Sequence, residues 1–299
     1  MKFVVTGGAG FIGSHIVDLL VLEGETVHIV DNFSTGKRSR VNRKAILHEV
    51  NILDSKKLVN IFKGSFGIFH TAADPRMLYS LKEPKITHDV NATGTLNVLL
   101  AARDAGVSKV VYSSSSAVYG NANSMPLDEG TNSLPVIPYA IQKRVGEDYC
   151  RMMRVFYNLD TVSLRYFNVY GPRQNTSVNG SYATVIGIFL KQKKEGRPLT
   201  IVSDGKQRRD FVHVMDVARA NLLAMKSKKV GKGEVINIGS GQSYSVLEIA
   251  RTIGGPKVFV EPRPWDVKDS LADISGAKKL INWSPEITLE NGVRDLMRE

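Results

Sequence analysis

Short apolar runs alternate with longer segments of helical spacing along the first half of the chain. The runs KFVVTG, TVHIVD, FGIFHTAA, KVVYSSSS and TVSLRYFNVYG predict strands. The segment from Phe11 to Leu22 repeats apolar residues at helical intervals, and NATGTLNVLLAARDAG and YAIQKRVGEDYCRMMRVF predict two more helices. Strands that alternate with helices of this length predict a doubly wound parallel sheet. We therefore expect an α/β fold, with a Rossmann-type domain over residues 1–167.

The alternation loosens after residue 168. GPRQNTSVNGSY is typical of a loop, GRPLTIVSDGKQRRDFVHVMDVARANLLAM mixes strand, turn and helix signals, and EPRPWD predicts a proline-rich loop. These features predict a smaller α/β substrate-binding domain over residues 168–299. A part of it, about residues 208–238, is expected to return to the first domain.

The glycine-rich stretch TGGAGFIG follows the first predicted strand and opens the first predicted helix. Gly7, Gly10 and Gly13 lack side chains, so a pyrophosphate can approach the backbone N–H groups at the start of the helix. Asp31 ends the next strand, 18 residues after Gly13, which completes a dinucleotide-binding pattern. A carboxylate here binds a ribose 2′-hydroxyl and repels a 2′-phosphate, so we expect NAD rather than NADP, although Lys37 and Arg38 stand close by.

The segment IPYAIQK places Tyr139 and Lys143 one helical turn apart, directly after Pro138. One interpretation is an ordinary helix start with an exposed aromatic residue and an exposed cation. The other is a proton-transfer site, since an ammonium and a positive nicotinamide ring would lower the tyrosine pKa from about 10. A hydroxyl from SSSSAVYG, at the end of a strand, would complete a site that binds an alcohol and removes its proton.

Composition narrows the classes of partner. The net charge of +11 is spread along the chain without an arginine-rich arm, so we expect no nucleic acid, whereas a phosphorylated substrate would gain from the positive field. No run of about 18 apolar residues predicts a membrane span. The single Cys150 excludes an internal disulfide and favours the cytoplasm. The six histidines lack metal-ligand spacing, so no metal is expected.

Six motifs occur in an order that resembles one known family. TGGAGFIG, SSSSAVYG, YAIQK, RYFNVYGPR, RRDFVHVMDVA and ADISGAKKLINWSP are similar to motifs of the extended short-chain dehydrogenase/reductase family, and more narrowly of its NAD-dependent nucleotide-sugar 4-epimerases of the UDP-galactose 4-epimerase type. The resemblance runs from about residue 2 to residue 290. It implies Tyr139 as general base, Lys143 as its electrostatic and ribose-binding partner, and Ser115, four residues before Tyr119, as the catalytic serine.

The resemblance also implies binding residues. Those expected to contact the cofactor are Gly7, Gly10, Phe11, Ile12, Gly13, Asp31, Asn32, Asn51, Ile52, Ala72, Ala73, Asn91, Ser113, Tyr139, Lys143 and Tyr166. Those expected to contact the substrate are Ser115, Tyr139, Asn168, Arg209, Arg263 and Asp266. Asn51 departs from the aspartate that is frequent in the family, which weakens the expectation of a contact near the adenine.

The function implied by the resemblance is inversion of C4 of a UDP-hexose through a transient 4-keto sugar, with UDP-glucose and UDP-galactose or their N-acetylated counterparts as substrates. Ser116 and Ala117 stand where related 4,6-dehydratases carry an Asp–Glu pair and decarboxylating relatives a Glu, which favours oxidation followed by re-reduction over elimination. The alternatives are an epimerase of another nucleotide sugar such as UDP-glucuronate, a 4-keto reductase, and a non-catalytic dinucleotide sensor. A sensor could dispense with Tyr139 and Lys143.

Two further expectations follow from the resemblance. Ser270 stands where some family members have a bulky tyrosine, so space for an N-acetyl group at sugar C2 is expected. Family members commonly dimerise through two helices of each subunit, which here contain residues 96–105 and 145–156. We therefore expect a homodimer.

Overall fold

The computed structural model describes residues 1–122, 124–176, 183–261 and 269–298. Its strands are, in chain order, β1 (Lys2–Thr6), β2 (Thr26–Asp31), β3 (Ile46–Glu49), β4 (Gly67–His70), β5 (Lys109–Ser115), β6 (Asp160–Tyr166), β7 (Val169–Tyr170), β8 (Leu199–Val202), β9 (Arg208–Asp210), β10 (Val212–His213), β11 (Lys232–Ile238), β12 (Ser243–Ser245) and β13 (Lys257–Val260). Its α-helices are α1 (Phe11–Leu22), α2 (Ser55–Phe62), α3 (Met77–Lys82), α4 (Pro84–His88), α5 (Gly94–Asp104), α6 (Pro138–Tyr157), α7 (Val185–Lys194), α8 (Val214–Lys226), α9 (Val246–Ile253), α10 (Ser275–Ile281) and α11 (Leu289–Leu296).

A central sheet joins seven strands in the order β11-β6-β5-β4-β1-β2-β3, and each neighbouring pair is parallel. The strand order reverses direction at β1, which is the arrangement that opens a ligand crevice at the carboxyl edge of such a sheet. The predicted Rossmann-type doubly wound fold is confirmed.

Apolar cores on both faces of this sheet explain why its strands are continuous hydrophobic runs. On one face, Ile16 and Leu20 of α1 pack in a cluster with Trp283, whose indole N–H donates to the carbonyl oxygen of Asp216 at 2.9 Å. On the other face, the cluster includes Leu99 of α5 and Cys150 of α6. Because every central strand is covered twice, the polar groups that bind ligands are confined to the strand ends.

The smaller part of the fold holds three two-stranded sheets. β7 pairs with β10 and β8 with β13 in parallel, and β9 pairs with β12 antiparallel. Helices α7, α9 and α11 close a third core there, around Phe189, Ile201 and Ile249. Helix α8 packs on α1, and β11 extends the central sheet. The domain boundary at residue 168 stays a prediction.

The structure differs from the predicted strands in two places. The run TVSLRYFNVYG was expected to form one strand, which is wrong: β6 ends at Tyr166 and β7 begins at Val169. The chain leaves the central sheet at Asn168. The side-chain amide of this residue donates a hydrogen bond to the carbonyl oxygen of Asp210 at 2.7 Å, which holds the chain beside β9. The edge strand β3 was not predicted, since its four residues are only half-buried or exposed and show no continuous apolar run.

A buried ion pair ties α6 to the central sheet. Arg165 of β6 donates from Nε and Nη2 to the two carboxylate oxygens of Glu147 at 2.8 and 2.7 Å, and Ser114 Oγ donates to the same carboxylate at 2.6 Å. Both charged side chains are at most 3% exposed. Because neither charge can turn to water, removal of one partner leaves the other buried and unneutralised.

The substitution Glu147→Gln should therefore lower the free energy of unfolding by about 3–5 kcal/mol. Its control is Asp148→Asn on the next residue, whose carboxylate is 52% exposed and pairs with Arg144 and Arg151 at 3.4 and 3.2 Å. That exposed pairing should contribute no more than about 1 kcal/mol. Urea denaturation of both variants measures the difference, and equal losses would show that burial does not set the cost.

Candidate active site

The loop between β1 and α1 has the shape of a phosphate cradle. Gly7 has a φ of +71°, and a Cβ there would lie 2.7 Å from the backbone N of Ala72. A Cβ on Gly13 would lie 2.3 Å from the carbonyl oxygen of Gly7. Gly10 precedes α1 without a side-chain cap, so the N–H groups of the first turn face the loop and carry the partial positive charge of the helix. Only glycine fits at these two positions, because the loop backbone packs directly against Ala72 and against itself. This packing fixes the loop at the start of α1, where the free N–H groups suit a pyrophosphate.

Asp31, at the end of β2, lies against this loop. Its carboxylate accepts hydrogen bonds from the backbone N–H groups of Ala9 at 2.9 Å and Phe33 at 2.8 Å. Burial raises the pKa of Asp31 above its usual range, and the two hydrogen bonds oppose that rise. Of the two cations close to Asp31 in sequence, Lys37 and Arg38, the second is paired with Glu49 at 2.5 Å and stacked on the Phe33 ring. This pairing favours an unphosphorylated ribose.

The other predicted cofactor residues at this edge lie on neighbouring loops. Phe11 and Ile12 open α1, Asn32 follows β2, Asn51 and Ile52 follow β3, and Ala72 and Ala73 follow β4. The side-chain oxygen of Asn51 accepts from the backbone N–H of Leu53 at 3.0 Å, whereas Ile52 is buried. Since these strands are parallel, their carboxyl ends gather the loops along one edge. Direct contact of each residue with the cofactor stays a prediction.

Asn91 lies in a π-helical turn between α4 and α5 and is buried. Its side-chain oxygen accepts from the backbone N–H of Asp74 at 2.7 Å. Its amide donates to the carbonyl oxygen of Asp74 at 3.0 Å and to Gln142 at 2.8 Å. Asn91 thus connects the loop after β4 to α6, three residues beyond Tyr139.

The three predicted catalytic residues come together at the end of β5 and the start of α6. Ser115 is the last residue of β5 and hydrogen bonds with the side chain of Tyr139. Lys143 donates from Nζ to the carbonyl oxygen of Ser113 at 2.7 Å, and it is buried. Ser80 of α3 accepts from the backbone N–H of Tyr139 at 3.2 Å, which satisfies a first-turn group of α6. The helix start that presents the phenol is therefore held from both sides.

The predicted cofactor residues Ser113 and Tyr166 contact each other behind this site. The Ser113 hydroxyl lies 3.0 Å from the Tyr166 hydroxyl, which donates to Asn221 of α8 at 3.0 Å. Burial raises the pKa of Tyr166 to about 12, so the group is a neutral hydrogen-bonding link.

The predicted substrate residues lie where the two parts of the chain meet. The side-chain amide of Asn168 lies 3.5 Å from Ser270 Oγ, and Arg209 stands on β9, half-buried. Arg263 and Asp266 lie outside the described residues. Asp210, which the sequence did not suggest as a functional residue, connects β9 to the loops around residues 240 and 272. Its carboxylate accepts hydrogen bonds from the backbone N–H groups of residues 240, 241 and 272 at 2.6, 3.0 and 3.1 Å.

Within residues 1–122, 124–176, 183–261 and 269–298, no cluster of three or more histidine, cysteine, aspartate or glutamate side chains has an arrangement that could hold a metal ion. No helix there combines the length and apolar character that a membrane crossing requires.

Comparison with known proteins agrees with this geometry. Residues 3–239 match the model of the NAD dependent epimerase/dehydratase family. A putative UDP-glucose 4-epimerase of Methanocaldococcus jannaschii is 40% identical over 299 residues, covering 97% of this chain and 95% of the relative. The chain belongs to the NAD-dependent epimerase/dehydratase family.

Solved structures extend the match to the whole fold. A UDP-glucose 4-epimerase of Thermotoga maritima with UDP-glucose superposes with a TM-score of 0.95 at 37% identity and covers 100% of this chain and 98% of that one. A UDP-N-acetylglucosamine 4-epimerase of Methanobrevibacter ruminantium M1 superposes with a TM-score of 0.93 at 37% identity, covering 99% and 97%. The predicted family, enzyme class and NAD cofactor are confirmed.

In this family member, burial dominates the protonation of the catalytic pair. Burial raises the pKa of Tyr139 to about 12, the negative charge of Asp74 adds to the rise, and only the hydrogen bond with Ser115 opposes it. Burial lowers the pKa of Lys143 to about 8, against the field of Glu147. In the chain alone, burial therefore sets the pKa of Tyr139, and the lowering expected from an ammonium together with a bound nicotinamide ring stays a prediction. Any lowering has to come from a bound positive charge.

Three supporting residues of this epimerase-family site escaped the sequence interpretation. Asp74 faces the site from the loop after β4 and pairs with Arg76, whose Nε lies 2.9 Å away. Gln142 holds Asn91 as described, and Glu147 lies one turn beyond Lys143. The repeat of Tyr139, Lys143 and Glu147 at intervals of four on one helix face was a usable signal for Glu147. Asp74 had none, since its role depends on a contact between distant segments.

Replacement of Asp31 tests the cofactor half of this site. Asp31→Asn should weaken NAD binding by at least about tenfold, since a charged acceptor for ribose is lost, and should narrow the preference for NAD over NADP. Titration calorimetry with both dinucleotides measures this, and Asp54→Asn, on an exposed carboxylate before α2, is the matched control. Unchanged affinities in Asp31→Asn would contradict the assignment of the ribose contact.

Proposed function

We propose that the protein inverts C4 of a UDP-hexose through a transient 4-keto sugar, with UDP-glucose and UDP-galactose as the leading pair. The observation that carries this proposal is the meeting of Ser115, Tyr139 and Lys143 at the same sheet edge as the glycine loop and Asp31. A dinucleotide in that loop and a sugar hydroxyl at Tyr139 would share one crevice. The name of the Thermotoga maritima neighbour and its bound UDP-glucose support the choice of substrate class.

The residues present fit NAD. Gly7 and Gly13 let the loop pack tightly at the start of α1, whose uncapped N–H groups suit a pyrophosphate. Asp31 suits the adenine ribose, and Lys143 would hold the nicotinamide ribose. When bound, NAD supplies the acceptor and then the donor of the hydride at C4 of the sugar. The chain's own residues orient the sugar and handle its proton.

The proton steps follow from the hydrogen bonds. Tyr139, as phenolate, takes the proton of the 4-hydroxyl, and Ser115 holds the same oxygen in line while the carbonyl forms. Lys143 stays protonated at neutral pH because its pKa of about 8 lies above 7, so its charge favours the phenolate. After the keto sugar has turned about its diphosphate linkage, Tyr139 returns the proton to the oxygen at the inverted carbon. No net oxidation results.

Ser116 and Ala117 argue for this simple cycle. They open the 3₁₀ turn Ser116–Tyr119 that follows β5, and the backbone N–H of Ala117 donates to Ser115 Oγ at 3.2 Å. Neither side chain is an acid or base of the strength that elimination of a hydroxyl group requires. Dehydration is therefore not expected.

The breadth of substrate choice depends on Ser270. Its hydroxyl accepts from the backbone N–H of Asp210 at 3.4 Å, and the residue is nearly buried beside Asn168. A small residue here leaves room next to a predicted substrate contact, and the Methanobrevibacter ruminantium neighbour is named as a UDP-N-acetylglucosamine 4-epimerase. We include the N-acetylated pair among the candidate substrates. UDP-glucuronate remains the second candidate, because the net charge of +11 suits a substrate that carries a carboxylate.

Two further parts of the proposal concern the setting of the enzyme. We place it in the cytoplasm, because its single cysteine, Cys150, leaves the chain without an internal disulfide. The thiol is buried, and burial raises its pKa to about 12. We also propose a homodimer through α5 and α6. Val155 and Phe156 support this, since they expose 72% and 76% of their surfaces near the end of α6.

The catalytic proposal is tested by Tyr139→Phe. Proton transfer by a positioned group contributes about 10²–10⁴-fold, so turnover of UDP-glucose should fall by that factor while NAD binding remains. NMR of the products from UDP-glucose, UDP-N-acetylglucosamine and UDP-glucuronate, without added reductant, measures both activity and preference. Tyr244→Phe is the control, since its hydroxyl donates to the exposed Gln242. A variant with full turnover would favour a different base, and a wild type inactive on every sugar would favour the dinucleotide sensor.

The dimer is tested by Phe156→Asp. Burial of a charge in a helical interface is unfavourable, so the mass in solution should fall by half. Light scattering after size exclusion measures it. Phe259→Asp, at a side chain that is 57% exposed on the distant strand β13, should leave the mass unchanged. Equal masses for Phe156→Asp and the wild type would place the interface elsewhere.

A further inference from the structure

A second cleft lies away from the catalytic residues, on the β11 side of α6. It has a volume of about 420 Å³ and is enclosed by the loop of residues 129–133, α6, β6 and β11. Arg144, Arg151 and Arg165 line it, together with one acidic residue, Glu129. Ser115, Tyr139 and Lys143 do not line it, so its chemistry is separate from the epimerase site.

Arg165 gives the cleft an unused donor group. The residue is 3% exposed, and its Nε and Nη2 are bound to Glu147. Its Nη1 is buried and makes no hydrogen bond of good geometry, although the guanidinium lies over the Tyr119 ring at 4.6 Å and interacts with that side chain. A buried donor left unpaired costs about 1–3 kcal/mol, so such a group calls for an explanation such as a ligand.

The two arginines of α6 are weakly committed to their protein partner. Arg144 and Arg151 share Asp148 at 3.4 and 3.2 Å, and the Asp148 carboxylate is half exposed. Arg144 Nε, the buried atom that lies 3.4 Å from Asp148, makes no hydrogen bond of good geometry there. Both guanidinium groups can therefore turn to an anion in the cleft at little cost, because exposed pairs of this kind contribute little.

Glu129 does not cancel this charge. Its Oε1 accepts from the backbone N–H of Asn237 at 2.8 Å, which ties the carboxylate to β11. Among the described residues that line the cleft, the charged side chains are three arginines and this glutamate. Behind them, Glu147 pairs with Arg165, while Asp148 is shared between the other two arginines. Arginine's planar fork presents paired N–H groups that match two oxygens of a phosphate.

We infer that this cleft is a binding site for a phosphate group, either free phosphate or a small phosphate monoester, held by Arg144, Arg151 and Arg165. Arg165 forms the floor of the site and the two α6 arginines close over the anion. The phosphate contacts replace the long shared pairing with Asp148. The site is independent of the proposed function, since its lining shares no residue with the predicted catalytic, cofactor-binding or substrate-binding residues.

The test titrates inorganic phosphate into the protein saturated with NAD and UDP, so that the dinucleotide and nucleotide sites are already filled. Calorimetry at low ionic strength should show one further site, and differential scanning calorimetry a rise in Tm. The double variant Arg144→Gln/Arg151→Gln should bind phosphate at least about tenfold more weakly. The matched control, Arg197→Gln/Arg298→Gln, removes two surface arginines whose partners are Glu195 and Asp295 and should bind like the wild type.

The outcomes separate the possibilities. A parallel titration with glycerol 2-phosphate distinguishes a phosphate monoester from free phosphate as the ligand. Tighter binding of the ester would identify a phosphorylated metabolite, and equal binding of both would identify free phosphate. If the double variant unfolds, Arg151→Gln and Arg165→Lys replace it; the lysine keeps a charge for Glu147 but lacks the Nη1 donors, and it too should weaken binding. Phosphate affinity that is unchanged in these variants, or absent in the wild type, would overturn the inference.

Discussion

Desolvation of the Tyr139–Lys143 pair is the constraint on which the site depends. Helix α6 carries both side chains against the end of β5, where burial raises the pKa of the phenol to about 12 and lowers that of the ammonium to about 8. Each group is thus pushed toward its neutral form. In the chain alone, the phenol keeps its proton at neutral pH. The proposed chemistry then requires a positive charge beside it, which ties proton removal to the presence of the oxidised cofactor.

The polar contacts around α6 keep this pair in place. Glu147 anchors the next turn of the helix to Arg165 of β6, and its negative charge supports the ammonium of Lys143. On the other side, Gln142 and Asn91 join the helix to the loop of Asp74. The hydrogen bonds among these groups are buried, so each side chain fixes the position of its neighbour, and removal of one leaves the others unpaired. Rigid placement matters here because the proposed reaction needs the phenol and the dinucleotide to face one sugar carbon.

Local signals in the sequence were enough to select the glycine loop, Asp31 and the three candidate catalytic residues Ser115, Tyr139 and Lys143, which the fold brings to one sheet edge. Each depends on spacing within one turn, strand or helix. Contacts between distant segments left no such signal: Asn168 turns the chain out of β6 because of Asp210, and Asp74 meets Asn91 only in the folded protein. The effect of burial on the pKa of Tyr139 was missed for the same reason, since spacing predicts a neighbouring ammonium but not the depth of burial. Arg263 and Asp266 lie outside the described residues, so their contacts stay predictions.

The most direct measurement is a spectrophotometric pH titration of the Tyr139 phenolate, taken as the absorbance difference between wild type and Tyr139→Phe, with and without NAD⁺. Burial raises the pKa of Tyr139, so without the cofactor the phenol stays protonated until the pH approaches about 12. A positively charged nicotinamide ring beside the phenol would lower that pKa. The account predicts phenolate well below pH 10 with NAD⁺ and none there without it. The same titration curve in both samples would contradict it.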